Sequence, residues 1–486
     1  MENTEKEIIY YGTLVFLVSL IVVLVPSGYD PGELWWHLKA GEWTVQHGFV
    51  AADPFAHTTT GAWLNYNWLA EVLFYYGYTH AGINWLYTFS FFFIGGNICA
   101  LVYITCFYRS RCIASAILIT LLVTQCTYMI ALKPHVFSFL FAAWFAFVIY
   151  LSKPSSRLIW TLPVLQVVWA NMHVMFVFGW LAGLILVAKA VESKQEIKQP
   201  CLVLALLLAA PLINPYGYAI YPELFSLFRY GFEELPVIVK ALRLPEFMPP
   251  GTSWGGYVLY VVTATLVLVF NRKRVSFVDA GAFALLLVLS MSQAKYIPYF
   301  AIFTAGIVAG YMPEAFTDAF ANRKRLSTKA AFAAMLCVSL LLGFRFAAFL
   351  KHSPDMNAAP VQEAMALKAA GNPPRTGNML NVLDDGRYLM HELHPQYRTF
   401  IDARLHLFSR EVVSDYLKIM RGHRDALRII EKYDVDTVVL PKDLVLVETL
   451  KTEKGWRVIY EGAKRTVLVE RLVGSSDHPA SVRDER

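Results

Sequence analysis

The sequence predicts an α-helical polytopic membrane protein with a C-terminal extracytoplasmic α/β domain, and three observations predict it. Of 486 residues, 56% are hydrophobic and 15% aromatic, while only 16% are charged, against about 25% in soluble domains. Apolar runs of 18 residues or more, residues 8–25 the first, are long enough for a hydrocarbon core of about 30 Å and recur to about residue 350. Beyond Ser353 the apolar runs shorten to strand length. A soluble enzyme is excluded.

The spans are expected near residues 8–26, 84–107, 113–132, 135–152, 158–170, 174–190, 201–213, 254–271, 275–291, 297–312 and 329–348, about 11 transmembrane helices within a domain of residues 1–350. The first run lacks a basic n-region and a small-residue cleavage site and is followed by more spans, so it reads as an anchor rather than a signal peptide. The six cysteines fall in or beside spans without metal-ligand spacing and read as small hydrophobes.

Orientation follows from the loops. Arg109 and Arg111, Lys153 and Arg157, Lys189, Lys194 and Lys198, Arg272 to Arg274, and Arg323 to Lys329 gather in alternate connections, which the positive-inside rule makes cytoplasmic. An odd number of spans then puts the amino terminus in the cytoplasm and the C-terminal domain outside, in the cell inner membrane. The external segments 27–83 and 214–253 are rich in Trp, Tyr, Phe and Pro and are expected to hold juxtamembrane helices in the interface plane. In the external α/β domain, 354–472, strand-length runs Arg398 to Asp402, Thr437 to Leu440, Trp456 to Tyr460 and Thr466 to Val469 alternate with helical stretches such as Val412 to Tyr433. Residues 473–486 are polar and read as a disordered tail.

The first external loop carries the densest chemistry. Asp30, Glu33, His37, Glu42 and Asp53 stand just beyond the first span, where a carboxylate is costly unless it has a partner or a task. Asp53 before Pro54 also suits a turn or helix cap. Glu33 sits among Leu34, Trp35 and Trp36, and a partly desolvated carboxylate beside an imidazole is a common way to build a general base.

The run Glu33 to Gly41 (ELWWHLKAG), then His47-Gly48, Asp53-Pro54-Phe55 and Trp68-Leu69-Ala70-Glu71, resembles a family of bacterial multi-spanning membrane proteins of glycosyltransferase-C (GT-C) architecture. Lipid-linked sugar transferases such as the protein O-mannosyltransferases and aminoarabinose transferases share that plan. Further matches are Lys133-Pro134-His135, Trp169-Ala170-Asn171-Met172-His173, Asn214-Pro215-Tyr216-Gly217, Lys295-Tyr296-Ile297-Pro298 and Phe400-Ile401-Asp402-Ala403-Arg404. The resemblance spans nearly the whole chain and rests on the order of motifs. Where similar sequences have Asp-Pro-Asp, this chain has Asp30-Pro31-Gly32-Glu33, so Asp30 and Glu33 both stand as the base.

The resemblance implies a GT-C glycosyltransferase that moves a sugar from a polyprenyl-phosphate carrier to a glycan, lipid or protein acceptor on the extracytoplasmic face. A single inverting displacement would need one carboxylate base, drawn from Asp30, Glu33 and Asp53 with His37 beside it. Lys133, His135, His173, Arg243 and Lys295 at external span ends would hold the donor phosphate; each taken alone also suits interfacial anchoring. Arg387, Tyr388, Asp402 and Arg404 in the tail would close over the acceptor, with a structural cap or ion pair the alternative for Asp402 and Arg404. No cofactor is expected, no metal is indicated, and the partners beyond donor and acceptor are membrane lipids. Nucleic-acid binding has no support. The rival readings are a lipid or polysaccharide transporter or flippase, which would place ionisable groups near span centres, and a non-catalytic envelope assembly factor.

Overall fold

The computed structural model describes residues 32–49, 52–59, 61–90, 95–110, 113–126, 132–230, 255–312, 356, 359–371, 373 and 375–470. The expected spans at 8–26 and 329–348, the disordered tail, Asp30 and Arg243 lie outside them.

The first helices are α1 (Leu34–His47) and α2 (Trp68–Thr88). α1 ends at Gly48, whose φ of 70° a side chain would resist. The two helices meet closely at Gly41, where a Cβ would come within 2.2 Å of the Glu71 carbonyl oxygen. They stand within the segment expected to lie beside the membrane.

The bundle continues with α3 (Gly96–Ser110), α4 (Ile113–Cys126), α5 (His135–Leu151), α6 (Thr161–Met172), α7 (Val177–Glu192), α8 (Lys198–Ala209), α9 (Ile220–Arg229), α10 (Gly255–Phe270), α11 (Phe277–Ser292) and α12 (Ile297–Gly310). α12 is its axis, buried from Ile297 to Ala309 with no polar face, as an all-round apolar helix must be. Among the described residues, one helix, Val174–Glu192, is by itself long and apolar enough to cross a bilayer. A pair, Lys198–Leu212 with Gly217–Arg229, would qualify together but is bent by 104°. The helices at His135–Leu151, Gly255–Phe270, Phe277–Ser292 and Ala294–Gly310 are apolar but shorter, so among the described residues helix length marks one or two crossings and the expected eleven are not confirmed.

Chain direction sorts the charges to two ends. Lys133 and His135 open α5, His173 follows α6, and Lys295 precedes α12. At the other end Asp279 near the start of α11 accepts hydrogen bonds from Lys189 at 2.6 Å and Tyr311 at 2.9 Å, with Arg109 3.9 Å away. Asp279 is thus a helix-end brace rather than an isolated charge at mid-span.

The C-terminal part is a five-stranded sheet of order β2-β1-β3-β5-β4, built from β1 (Asn378–Asn381), β2 (Arg398–Thr399), β3 (Thr437–Pro441), β4 (Trp456–Glu461) and β5 (Arg465–Glu470). β1, β2 and β3 are parallel; β5 is antiparallel to both β3 and β4. Alternation gives each face its own core: Leu380, Val438, Leu440 and Leu468 on one side, Met379, Val439, Val467 and Val469 on the other. Helices α15 (Arg410–Met420), α16 (Ala426–Lys432) and α17 (Val445–Thr452) cover the first face, and α13 (Val361–Ala370) and α14 (Gly386–Leu393) the second. The single helical stretch expected at 412–433 is two helices, because Gly422 turns the chain with φ 70°.

Residues 55–58 of the first external loop run along the free edge of β2. Thr399 N–H donates to the Phe55 carbonyl at 2.9 Å, His57 N–H to the Thr399 carbonyl at 3.0 Å, and Thr58 Oγ1 to the Phe400 carbonyl at 2.5 Å. The sheet edge is capped and the two parts of the chain are joined.

Candidate active site

Glu33, Trp36 and His37 lie within one turn at the start of α1, so they face one direction. Opposite them stand Lys133, His135, His173 and Lys295 from the helix ends, and above them Arg404 and His406, just past the carboxyl end of edge strand β2, where parallel sheets present their functional residues. Together they line a cavity of about 280 Å³. Much of its remaining wall is apolar, with Phe139, Met175, Val177, Leu224, Leu227 and Phe228 beside Asn67 and four tyrosines, Tyr66, Tyr230, Tyr296 and Tyr299.

The charges are distributed with care for desolvation. Glu33 Oε1 is 2.8 Å from Lys133 Nζ. Burial alone would raise its pKa, but Lys133 and then Arg387 and His37 outweigh burial and hold the carboxyl at about 2. Burial, with His135, His37 and the two lysines adding to it, pushes His173 well below the usual imidazole range. His406 is brought down to about 4 by burial and by Arg404. Both are neutral acceptors or donors at pH 7. Trp169 Nε1 donates to Ser138 Oγ at 2.7 Å and Ser138 Oγ lies 2.8 Å from His173 Nδ1, so the Trp-Ala-Asn-Met-His turn fixes the His173 ring. Asn171 of the same turn accepts from Trp68 Nε1 at 2.8 Å and ties α2 to it.

Asp53 and Asp402 come together on Arg404. The guanidinium donates to both Asp53 oxygens and to both Asp402 oxygens, at 2.6 to 3.1 Å, with all three side chains essentially inaccessible. Asp53 also accepts from Phe55 N, Ala56 N and Thr59 Oγ1. Burial opposes the Arg404 charge, but Asp402 and Asp53 overcome it and raise its pKa. Phe55 and Trp63 face the cation, each ring centroid 5.2 Å away.

The cavity therefore gathers Glu33, His37, Lys133, His135, His173, Lys295 and Arg404 from the residues singled out in the sequence. Asp53 and Asp402 touch it through Arg404. Arg387 bonds to Asp384 at 2.5 Å and Tyr388 stands edge-on to Trp35, their centroids 5.4 Å apart; neither is among its lining residues. Sequence reasoning missed Trp36, Tyr66, Asn67 and, behind His37, Glu71 and Asn65. Trp36 Nε1 is buried without a hydrogen-bond partner among the described residues, although it lines the cavity. Among the described residues no group of three His, Cys, Asp or Glu side chains is arranged to hold a metal ion.

No family model and no curated protein sequence matches this chain. Its fold is similar to that of oligosaccharyltransferase from Archaeoglobus fulgidus. The archaeal oligosaccharyltransferase AglB in complex with an inhibitory peptide and a dolichol-phosphate superposes with a TM-score of 0.51 at 11% identity, over 88% of this chain and 69% of that one. The same organism's oligosaccharyltransferase in complex with Zn and sulfate gives 0.51 at 12%, over 88% and 68%. The likeness is one of fold alone.

Proposed function

We propose that this chain is a membrane glycosyltransferase that moves a sugar from a polyprenyl-phosphate donor to a hydroxyl acceptor on the extracytoplasmic face. The observation that carries the reading is the composition of one cavity, which joins Lys133, Lys295 and several imidazoles to an apolar set that includes Phe139, Met175, Val177, Leu224, Leu227 and Phe228. An amphipathic donor fits both halves, with its phosphate at Lys133, Lys295 and His135 and the first isoprene units along Phe139, Leu224 and Phe228. Charged hydrogen bonds to phosphate are the strong ones.

The chemistry is a single displacement. The acceptor oxygen attacks the anomeric carbon, the bond from that carbon to the phosphate oxygen breaks, and the lipid phosphate leaves with the bonding pair. The lysines neutralise the charge it gains. Trp36, with its unsatisfied indole N–H, suits the sugar ring. Arg404, braced by Asp53 and Asp402, carries the external domain over the cavity and closes it toward the acceptor. Dolichol-phosphate in the archaeal neighbour is a ligand of the same chemical kind.

The test is direct: incubate the purified chain with a panel of polyprenyl-phosphate sugars and measure release of the lipid phosphate with and without acceptor fractions. Release dependent on one sugar supports the reading. Transport of intact lipid-linked sugar across reconstituted vesicles without release would replace it with the flippase alternative.

A further inference from the structure

We propose that Glu71 is a positioning residue that makes His37 the proton acceptor of the transfer, while Glu33 serves as the counter-ion of Lys133; this rests on the transferase reading above.

Glu71 is inaccessible to solvent and His37 nearly so. Glu71 Oε1 lies 2.8 Å from His37 Nδ1, and Asn65 Nδ2 donates to its Oε2 at 2.6 Å. The arrangement is held from three sides. α2 is locked to α1 at Gly41, the Asn67 N–H donates to Asn65 Oδ1 at 3.2 Å, and the Asn65 N–H donates to Tyr216 Oη at 3.0 Å. The Trp36 ring lies over the imidazole with centroids 3.6 Å apart.

A buried carboxylate is costly without a compensating charge. Among the described residues no Lys or Arg side chain bonds to Glu71, and its one ionisable hydrogen-bond partner is His37. The geometry therefore pairs one buried carboxylate with one imidazole, Asn65 holding the carboxylate's other oxygen. An ionised carboxylate is acceptor-only, so Nδ1 carries the hydrogen and the basic lone pair lies on Nε2. His37 lines the cavity, and in the proposed step that lone pair acts on a bound acceptor. This is the arrangement by which a buried acid orients a histidine base and stabilises the imidazolium it becomes.

Glu33 is differently placed. Its carboxylate is paired with Lys133 at 2.8 Å and held at a pKa of about 2, so it has little drive to take a proton from an alcohol. In the step, the acceptor hydroxyl gives its proton to Nε2 as its oxygen bonds the anomeric carbon, and the lipid phosphate departs to Lys133 and Lys295. The charged and titratable groups around His37 are Glu71, Glu33 at the N-cap of its own helix, Lys133 just before α5 and His135 opening it, His173 after α6, Lys295 before α12, Arg404 and His406 past β2, and the tyrosines Tyr66, Tyr230, Tyr296 and Tyr299.

The experiment uses the full chain in lipid nanodiscs and two readouts. One is the pH profile of kcat and KM for lipid-phosphate release. The other is the pH dependence of His37 carbethoxylation by diethyl pyrocarbonate, read on its own peptide by mass spectrometry and independent of turnover. Glu71→Gln is expected to leave donor KM unchanged, lower kcat by about 10²-fold or more, and move the His37 midpoint to lower pH by about one unit or more, because an opposite charge in contact has been removed. Glu71→Asp should keep the midpoint within about half a unit and serves if the glutamine variant does not fold. Glu33→Gln should keep the acid limb of the kcat profile, and His37→Gln should abolish it. A Glu71→Gln variant with an unmoved midpoint and kcat within threefold of wild type overturns the proposal, as does loss of the acid limb in Glu33→Gln. A wild-type chain that releases no lipid phosphate while its midpoint still depends on Glu71 supports the pairing and overturns the transferase reading, so the two failures are distinct.

Discussion

Arg404 holds Asp53 through two parallel hydrogen bonds, Nη1 to Oδ1 at 2.6 Å and Nη2 to Oδ2 at 3.1 Å, although the two residues are 351 positions apart. The bonds join the loop between the first helices to the carboxyl end of β2, beside the backbone pairing of residues 55–57 with Thr399. Removing one partner of a buried ion pair strands the other and costs about 3–5 kcal/mol. Asp53→Ala is therefore expected to lower the unfolding midpoint substantially and to increase hydrogen exchange across residues 52–59. Arg404→Lys should recover little of the loss seen in Arg404→Ala, since an ammonium cannot fork onto two carboxylates. A change below about 1 kcal/mol in Asp53→Ala, the range of an exposed pair, would make the joint ornamental.

The donor's phosphate is expected to be read by the lysines. Each charged hydrogen bond to phosphate is worth about 1.5–3 kcal/mol, and each 1.4 kcal/mol is about tenfold in affinity. Lys295→Ala should raise donor KM about tenfold or more with kcat little changed, the sign of lost uniform binding. Lys133→Ala should do the same. Lys153→Ala, exposed at the other end of the bundle, is the control. Equal donor dependence in all three variants would reduce the cavity lysines to interfacial anchors.

Stability should fall as the medium is made acidic, and the histidines set the window. Burial comes first among the causes that bring His57, His394 and His406 to about 4, seconded by Arg398, Lys39 and Arg404 respectively. The unfolded chain takes up these protons near pH 6.5 while the folded chain resists until about pH 4, so folding stability declines as pH drops through that interval. Glu33 adds a second limb of the same sign at lower pH: its contribution is whole above about 4.5 and lost toward 2. Thermal midpoints measured from pH 7.5 to 4 should fall, and His57→Asn should flatten the curve if it folds. A midpoint that is constant over that range would contradict the burial of these imidazoles.

The sequence reveals the helix-end residues and conceals what stands behind them. Lys133, His135, His173 and Lys295 are conspicuous because each polar group interrupts an apolar run at a turn, and the fold brings those turns to one end. β3 and β5 are legible from their unbroken apolar runs, whereas β1, with Asn at both ends and four residues in length, offers no period to read. Glu71 escaped as a functional group because its partner His37 is 34 residues away on another helix; no local spacing announces such a pair. Asp53 reads in one dimension as a candidate base or a turn cap, and its ion pair with Arg404 is invisible there because the partner lies at the far end of the chain. The span expected at 201–213 and the external segment from 214 meet where the chain bends by 104° between Leu212 and Gly217, and the Asn-Pro-Tyr-Gly turn that interrupts the apolar run there is visible in the sequence.

The sidedness of the active site is the last expectation, and it rests on two independent features. Arg109, Lys189 and Asp279 mark one end of the bundle and the cavity marks the other, while the connections at the first end carry Lys153, Arg157, Lys194, Lys198 and Arg272 to Arg274 against Lys133 and Lys295 at the cavity end. Cationic loops remain on the cytoplasmic side, so the cavity and the α/β part should face away from it. Three exposed serines, replaced singly by cysteine, test this in intact cells with a membrane-impermeant maleimide. Ser226 on α9 and Ser409 before α15 should label from outside, and Ser193 after α7 should label only once the membrane is breached. Opposite behaviour at Ser193 and Ser409 would invert the orientation while leaving the fold untouched. Labelling of Ser226 and Ser193 from the same side would break the two-ended bundle itself, because α7, α8 and α9 could then not carry the chain from one face to the other.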